Sequence, residues 1–170
     1  MFRKMMIMSM LAVGCLNWQE NPTHEYKIYI DPSFTDDQAN QIIASFTEWQ
    51  VKTGNFVKFS GTTLENDVDG INVYPTTLQQ LDKNDGILGE TWSNGVSSKI
   101  EIALDANDIS QISLHEIGHA LGCNHIQGVG TIMFPNRSKA GYSVSCADVY
   151  EMCRHWDNCD PNQMPACLEQ

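Results

Sequence analysis

Basic side chains are scarce in this sequence: 10 Lys and Arg stand against 21 Asp and Glu, a formal net charge of -11. No basic stripe remains to neutralise a phosphate backbone, so a nucleic-acid partner is not expected. Long apolar runs are missing as well. The longest, residues 5–13, falls far short of the roughly 20 residues that span a bilayer. With Arg3 and Lys4 ahead of it, this run reads as a secretory signal over residues 1–14 rather than a membrane span. Internal repeats and low-complexity tracts are absent, and there are only five histidines, so a cluster of them is informative. The cysteines lack paired CxxC spacing, which counts against the rival reading of a Cys-rich zinc knuckle.

The signal ends Leu11-Ala12-Val13-Gly14-Cys15. Small residues before a cysteine resemble the lipobox of bacterial lipoproteins, which makes Cys15 the candidate lipidation site. Plain secretion with cleavage nearby is the alternative. A lipid on Cys15 would tether the domain to a bacterial envelope, and the lipid would be its one membrane contact. Leu16 is not the aspartate associated with inner-membrane retention, so the outer membrane is favoured in a Gram-negative cell. Residues 15–25 read as a polar tether and residues 26–170 as one domain with a Cys-rich tail, expected to be monomeric. Five further cysteines remain: Cys123, Cys146, Cys153, Cys159 and Cys167. An exported chain can oxidise them, and two disulfides would leave one free thiol. The connectivity is open.

The pattern of elements is α/β. Residues 26–30 and 56–59 read as strands, and residues 70–74 as a third strand stopped by Pro75. Asp36 or Asp37 is placed to cap a helix whose apolar face carries Ala39, Ile42, Ile43, Phe46 and Trp49, with Gly54 closing it. Residues 76–99 look loop-rich. Residues 99–104 alternate, with Ile100, Ile102 and Leu104 on one face. Asp108 or Ser110 starts a helix that runs to about Leu121, and residues 146–155 form a last helix with Val149, Met152 and Trp156 facing inward.

The string Ser113-Leu114-His115-Glu116-Ile117-Gly118-His119-Ala120-Leu121-Gly122-Cys123-Asn124-His125 carries the chemistry. Positions four apart lie one above the other on a helix, so His115 and His119 can reach one ion. Glu116 projects around the helix edge toward the open coordination position and suits a general base better than a ligand. Gly122 lets the chain turn at the helix end, because a left-handed backbone costs glycine little. His125 then returns under the same ion as third ligand. Three histidines with one open position make a catalytic rather than a closed structural zinc site.

This string resembles the metzincin metallopeptidase motif HExxHxxGxxH, and residues 131–135 (TIMFP) resemble the Met-turn, with Met133 beneath the ligands. The eight-residue step from His125 to Met133 is similar to that of the matrixin branch. Asp148 and Val149 resemble the second acidic residue and following aliphatic residue of the matrixin C-terminal helix. Residues 86–90 (GILGE) resemble the bulged segment that leads to the edge strand over the cleft. The resemblance implies an α/β (α+β) catalytic domain: a twisted mixed sheet with an antiparallel edge strand, an active-site helix and a C-terminal helix. It also implies a zinc endopeptidase acting on protein or peptide substrates, with Glu116 as base. Substrate would pair with an edge strand near residues 98–104, and Pro135, Asn136 and Arg137 would fall at the wall of the S1′ pocket. Arg137 either narrows that pocket, favours an acidic side chain, or points to solvent. Ile126 departs from the Ser or Thr usual in matrixins after the third ligand. His24 and His155 do not match the histidines of the second, structural zinc site in vertebrate matrixins. Residues 82–86 (DKNDG) could hold calcium through oxygen ligands or form an ordinary polar turn. The competing class is an envelope-anchored, non-catalytic binding module that keeps zinc for stability.

Overall fold

The computed structural model describes residues 24–63, 69–81 and 88–168. Cys15, the signal, most of the tether and the calcium candidate at residues 82–86 lie outside them. Along the chain come β1 (His24–Ile30), α1 (Asp36–Lys52), β2 (Val57–Thr63), β3 (Ile71–Thr76), α2 (Leu78–Leu81), β4 (Gly89–Ser93) and β5 (Ser98–Ala103). They are followed by α3 (Ile109–Ala120), α4 (Cys146–Cys153) and α5 (Pro165–Leu168).

The strands form one sheet in the order β2-β1-β3-β5-β4. All neighbours are parallel except β4, which runs antiparallel to β5 at the edge. This is the mixed sheet with an antiparallel edge strand that the resemblance implies. The edge itself is not where expected. Residues 98–103 are an inner strand, flanked by β3 and β4, and the edge is β4, Gly89–Ser93. The reason is legible in the burial: Ile100 and Ile102 are covered on the core face, as an inner strand requires, and the short polar β4 leaves Trp92 exposed. An edge strand of that kind leaves almost no hydrophobic periodicity in the sequence.

One face of the sheet packs on α1 and α3. Ile42, Phe46 and Trp49 project from α1 at helical spacing and are fully buried with Ile71, Val73, Ile100, Ile102, Leu114 and Ile117. Burying each such side chain contributes about 1.5–3 kcal/mol. The indole Nε1 of Trp49 donates to the Leu114 carbonyl at 2.9 Å, which joins α1 to α3. This bond also keeps the indole N–H from being buried without a partner.

Several boundaries differ from the sequence reading. Thr35, not Asp36 or Asp37, caps α1, forming a capping box with Gln38, and the two aspartates occupy the first turn where the helix dipole favours them. Ile43 is 40% exposed and Leu104 lies past the end of β5, at 36% exposed. β3 continues through Pro75 to Thr76. It pairs with β1 only over Ile71, Asn72 and Val73, so the missing N–H of proline is not needed on that side. The last helix ends at Cys153 rather than His155. The loop-rich interval contains α2 and β4, and the tail adds α5.

Candidate metal centre

α3 is capped by Asp108, which has a left-handed backbone (φ 71°) and accepts a hydrogen bond from the Gln111 N–H. From there the helix brings His115 and His119 onto one side. At Gly122 the chain turns with φ 96°, a conformation cheap only for glycine, and returns with His125. The three imidazoles converge. Nε2 of His119 and of His125 each lie 3.1 Å from Nε2 of His115, and these two are 3.2 Å apart.

The other ring nitrogens fix the tautomer. His115 Nδ1 donates to the Ile132 carbonyl and His119 Nδ1 to the Cys123 carbonyl, each at 2.8 Å. Both Nε2 atoms are thereby left with bare lone pairs, as metal ligands require. Burial lowers the pKa of all three rings, and the neighbouring His115 helps bring His119 down to about 4. Three neutral imidazoles with lone pairs facing one another form an unfavourable cluster unless a cation sits among them. Tetrahedral zinc with bonds of about 2.0–2.1 Å spaces its nitrogens about 3.3–3.4 Å apart, close to the observed triangle. The donor set fits zinc. Among the described residues this is the one group of three metal-capable side chains.

Glu116 is 5% exposed and points toward β4. Its Oε2 lies 2.6 Å from the Thr91 hydroxyl, which is also 3.1 Å from the Glu116 carbonyl oxygen. Burial raises its pKa to about 7; the Thr91 hydrogen bond opposes the rise, and the charge of Glu90 adds to it. The absence of a side chain at Gly89 makes room for the carboxylate, because a Cβ there would stand 2.8 Å from Glu116 Cγ. Nothing in the sequence marks Thr91 or Gly89 for this role, since they lie more than 20 residues away on a strand with little hydrophobic pattern.

Met133 is fully buried beneath α3. A Cβ at Gly118 would fall 2.3 Å from its Sδ, so that glycine is what lets the methionine approach the helix. The turn is held by the buried Asp148 carboxylate. It accepts from the N–H of Ile132 at 3.2 Å and of Met133 at 3.1 Å, and from Ser145 N–H and hydroxyl at 2.8 and 2.6 Å. Because the Ile132 carbonyl accepts from His115, Asp148 reaches the first histidine through one stretch of backbone.

A cleft of about 570 Å³ runs over the three histidines and Glu116, between β4 and the segment after the Met-turn. Pro135 and Arg137 line it, and Asn136 does not. Asn136 instead caps a short 3-10 turn, Arg137–Lys139, by accepting from the Ser138 N–H at 3.0 Å. That capping bond turns its side chain away from the cleft. Arg137 does not point free into solvent. Its Nε donates to Gln111 Oε1 at 2.8 Å and its Nη2 lies 3.4 Å from Asp108 Oδ2. Gln111 in turn donates to the Gly141 carbonyl at 3.0 Å, tying the wall to α3.

Among the described residues the cysteines pair as Cys146–Cys167 and Cys153–Cys159, which leaves Cys123 free and buried. The His24 ring packs at a tilt against Trp156 and Phe56, and His155 faces Asn124 and Glu151.

The sheet, the convergent histidines and the methionine turn define a metzincin-type metallopeptidase domain. The chain belongs to the matrixin family, whose model matches residues 17–154. Membership implies a zinc-dependent peptidase. Among solved structures the chain is similar to high choriolytic enzyme 1, a hatching enzyme zinc-protease from the medaka fish Oryzias latipes. The identity is 22%, the TM-score 0.45, and the match covers 68% of this chain and 55% of that one. The chain thus spans little more than half the length of that enzyme. No curated protein matches the chain.

Proposed function

We propose that the protein is an endopeptidase that cleaves internal bonds of extended polypeptides, with one zinc on His115, His119 and His125 and Glu116 as general base. The observation that carries this reading is the triangle of Nε2 atoms, 3.1–3.2 Å apart, with two of the rings anchored through Nδ1. Zinc bound there would supply Lewis-acid chemistry, lowering the pKa of a water and polarising the scissile carbonyl. Glu116 takes the proton of the attacking water and passes it to the leaving nitrogen. Burial raises the pKa of this carboxyl, which helps it hold the proton between the two steps. The Thr91 hydroxyl orients that carboxyl. Substrate lies along β4, which the described residues pair on one side only. Its backbone groups can add a strand, while Pro135 and the Arg137–Gln111 wall bound a side-chain pocket.

Export fits the two disulfides of the tail, since such bonds persist in oxidising compartments. We place the protein in a bacterial cell envelope, anchored by lipid on Cys15, or secreted. Radiolabelled or clickable fatty acid should enter the wild-type chain and not Cys15→Ala; equal labelling of both would remove the anchor from the account.

Incubating the purified full chain with casein and a diverse quenched-peptide library tests the activity. Cleavage should stop with chelator and return with zinc. A folded, zinc-loaded protein that cleaves no member would point instead to a binding module. The role given to Thr91 has its own check: Thr91→Val should lower kcat by about tenfold through misplacement of the base. Zinc content should not change, and a variant with wild-type kcat would show that the hydroxyl does not orient Glu116.

A further inference from the structure

Two of the three candidate ligands are anchored through Nδ1, but among the described residues His125 has no acceptor at that atom. Its position has to come from its loop. On one side the Ile126 N–H donates to the Met133 carbonyl at 2.9 Å. On the other, contacts come from the C-terminal tail. Asn124 Nδ2 lies 3.0 Å from Glu151 Oε1 and 3.2 Å from His155 Nε2. The Trp156 indole N–H donates to the Leu121 carbonyl at 2.9 Å, satisfying a backbone group at the end of α3 that the helix itself leaves open. A Cβ added at Gly122 would meet His155 Cβ at 3.4 Å, so this residue backs the turn itself.

His155 and Trp156 both lie in the small loop closed by the Cys153–Cys159 disulfide. The loop has a firm base. The Trp156 ring packs 4.2 Å from His24 and 6.4 Å from both Tyr26 and Phe56, which ties it to β1 and to the residue just before β2. A second disulfide, Cys146–Cys167, fastens the start of α4 to α5.

We propose that the disulfide-closed loop 153–159, together with Glu151, is a clamp that positions His125 and so sets the affinity of the centre for zinc. The proposal rests on the metal centre described above and adds to it a set of positioning residues: Asn124, Glu151, His155 and Trp156. They act on the ligand through the turn 121–125 and do not touch the reacting groups. Partners that orient a metal ligand from outside the coordination sphere typically change affinity by about 10–100-fold when removed.

The test is a zinc titration of the metal-free full chain against a chromophoric chelator, with thermal unfolding of the same metal-free samples. Asn124→Ala and Trp156→Phe should each weaken zinc binding about tenfold. Asn124 is exposed, so Asn124→Ala should unfold at the wild-type temperature without metal, which separates positioning from general stability. Tyr150→Phe, which breaks a bond to Asn162 elsewhere in the tail, should stay near wild-type affinity. Wild-type affinity in both Asn124→Ala and Trp156→Phe would overturn the clamp. A wild-type chain that takes up no zinc would sink the metal centre and the clamp together. Weakened variants of a protein that binds zinc tightly but cleaves no peptide would sink only the peptidase reading.

Discussion

Glu116→Gln should lower kcat/KM on any cleavable peptide by about 10²–10⁴-fold, with one zinc per chain retained. Gln has nearly the same shape and still offers an oxygen to the Thr91 hydroxyl, so the packing against Gly89 is undisturbed. What it lacks is a site that can take a proton from water and release it to an amine. The substitution therefore separates chemistry from structure. If Glu116 were only a buried polar group satisfied by Thr91, the variant would work at close to the wild-type rate. Peptide hydrolysis by matched, metal-assayed samples decides between the two.

The second large effect concerns stability. Asp148→Ala should destabilise the domain by about 3–4 kcal/mol, because it removes one acceptor from three backbone N–H groups and leaves those of Ile132 and Met133 buried without a partner. In a domain of this size that corresponds to a fall in Tm of about 6–15 °C. The loss should appear with chelator present, which shows that it does not come merely from lost metal. Zinc binding should weaken too, since the Ile132 carbonyl is the acceptor that orients His115. A Tm within about 2 °C of wild type would mean that the methionine turn is held by something other than this carboxylate.

The histidine string could be read from sequence because its geometry is local. Positions 115 and 119 meet through helical periodicity, and Gly122 marks the turn, so four residues of the site needed no knowledge of the rest of the chain. The groups that tune those residues were hidden because they arrive from elsewhere. Thr91 and Gly89 come from a five-residue strand with no fully buried residue, so it lacks the alternation that reveals strands. For the same reason the sequence points to residues 98–104 as the substrate edge, whereas the regular Ile100 and Ile102 mark an inner strand. Asn124 reads as an ordinary loop residue until α4 is seen against it. The tail cysteines announced two disulfides, but spacing alone could not pair Cys146 with Cys167 across 21 residues. Arg137 shows a further limit. Its position suggested either pocket or solvent, and only the fold shows it spent on Gln111 and Asp108.

Zinc X-ray absorption on the purified full chain tests the central claim most directly. The account predicts three imidazole nitrogens and one oxygen at about 2.0–2.1 Å, with no sulfur. A sulfur scatterer at about 2.3 Å, or fewer than three imidazoles, would contradict it.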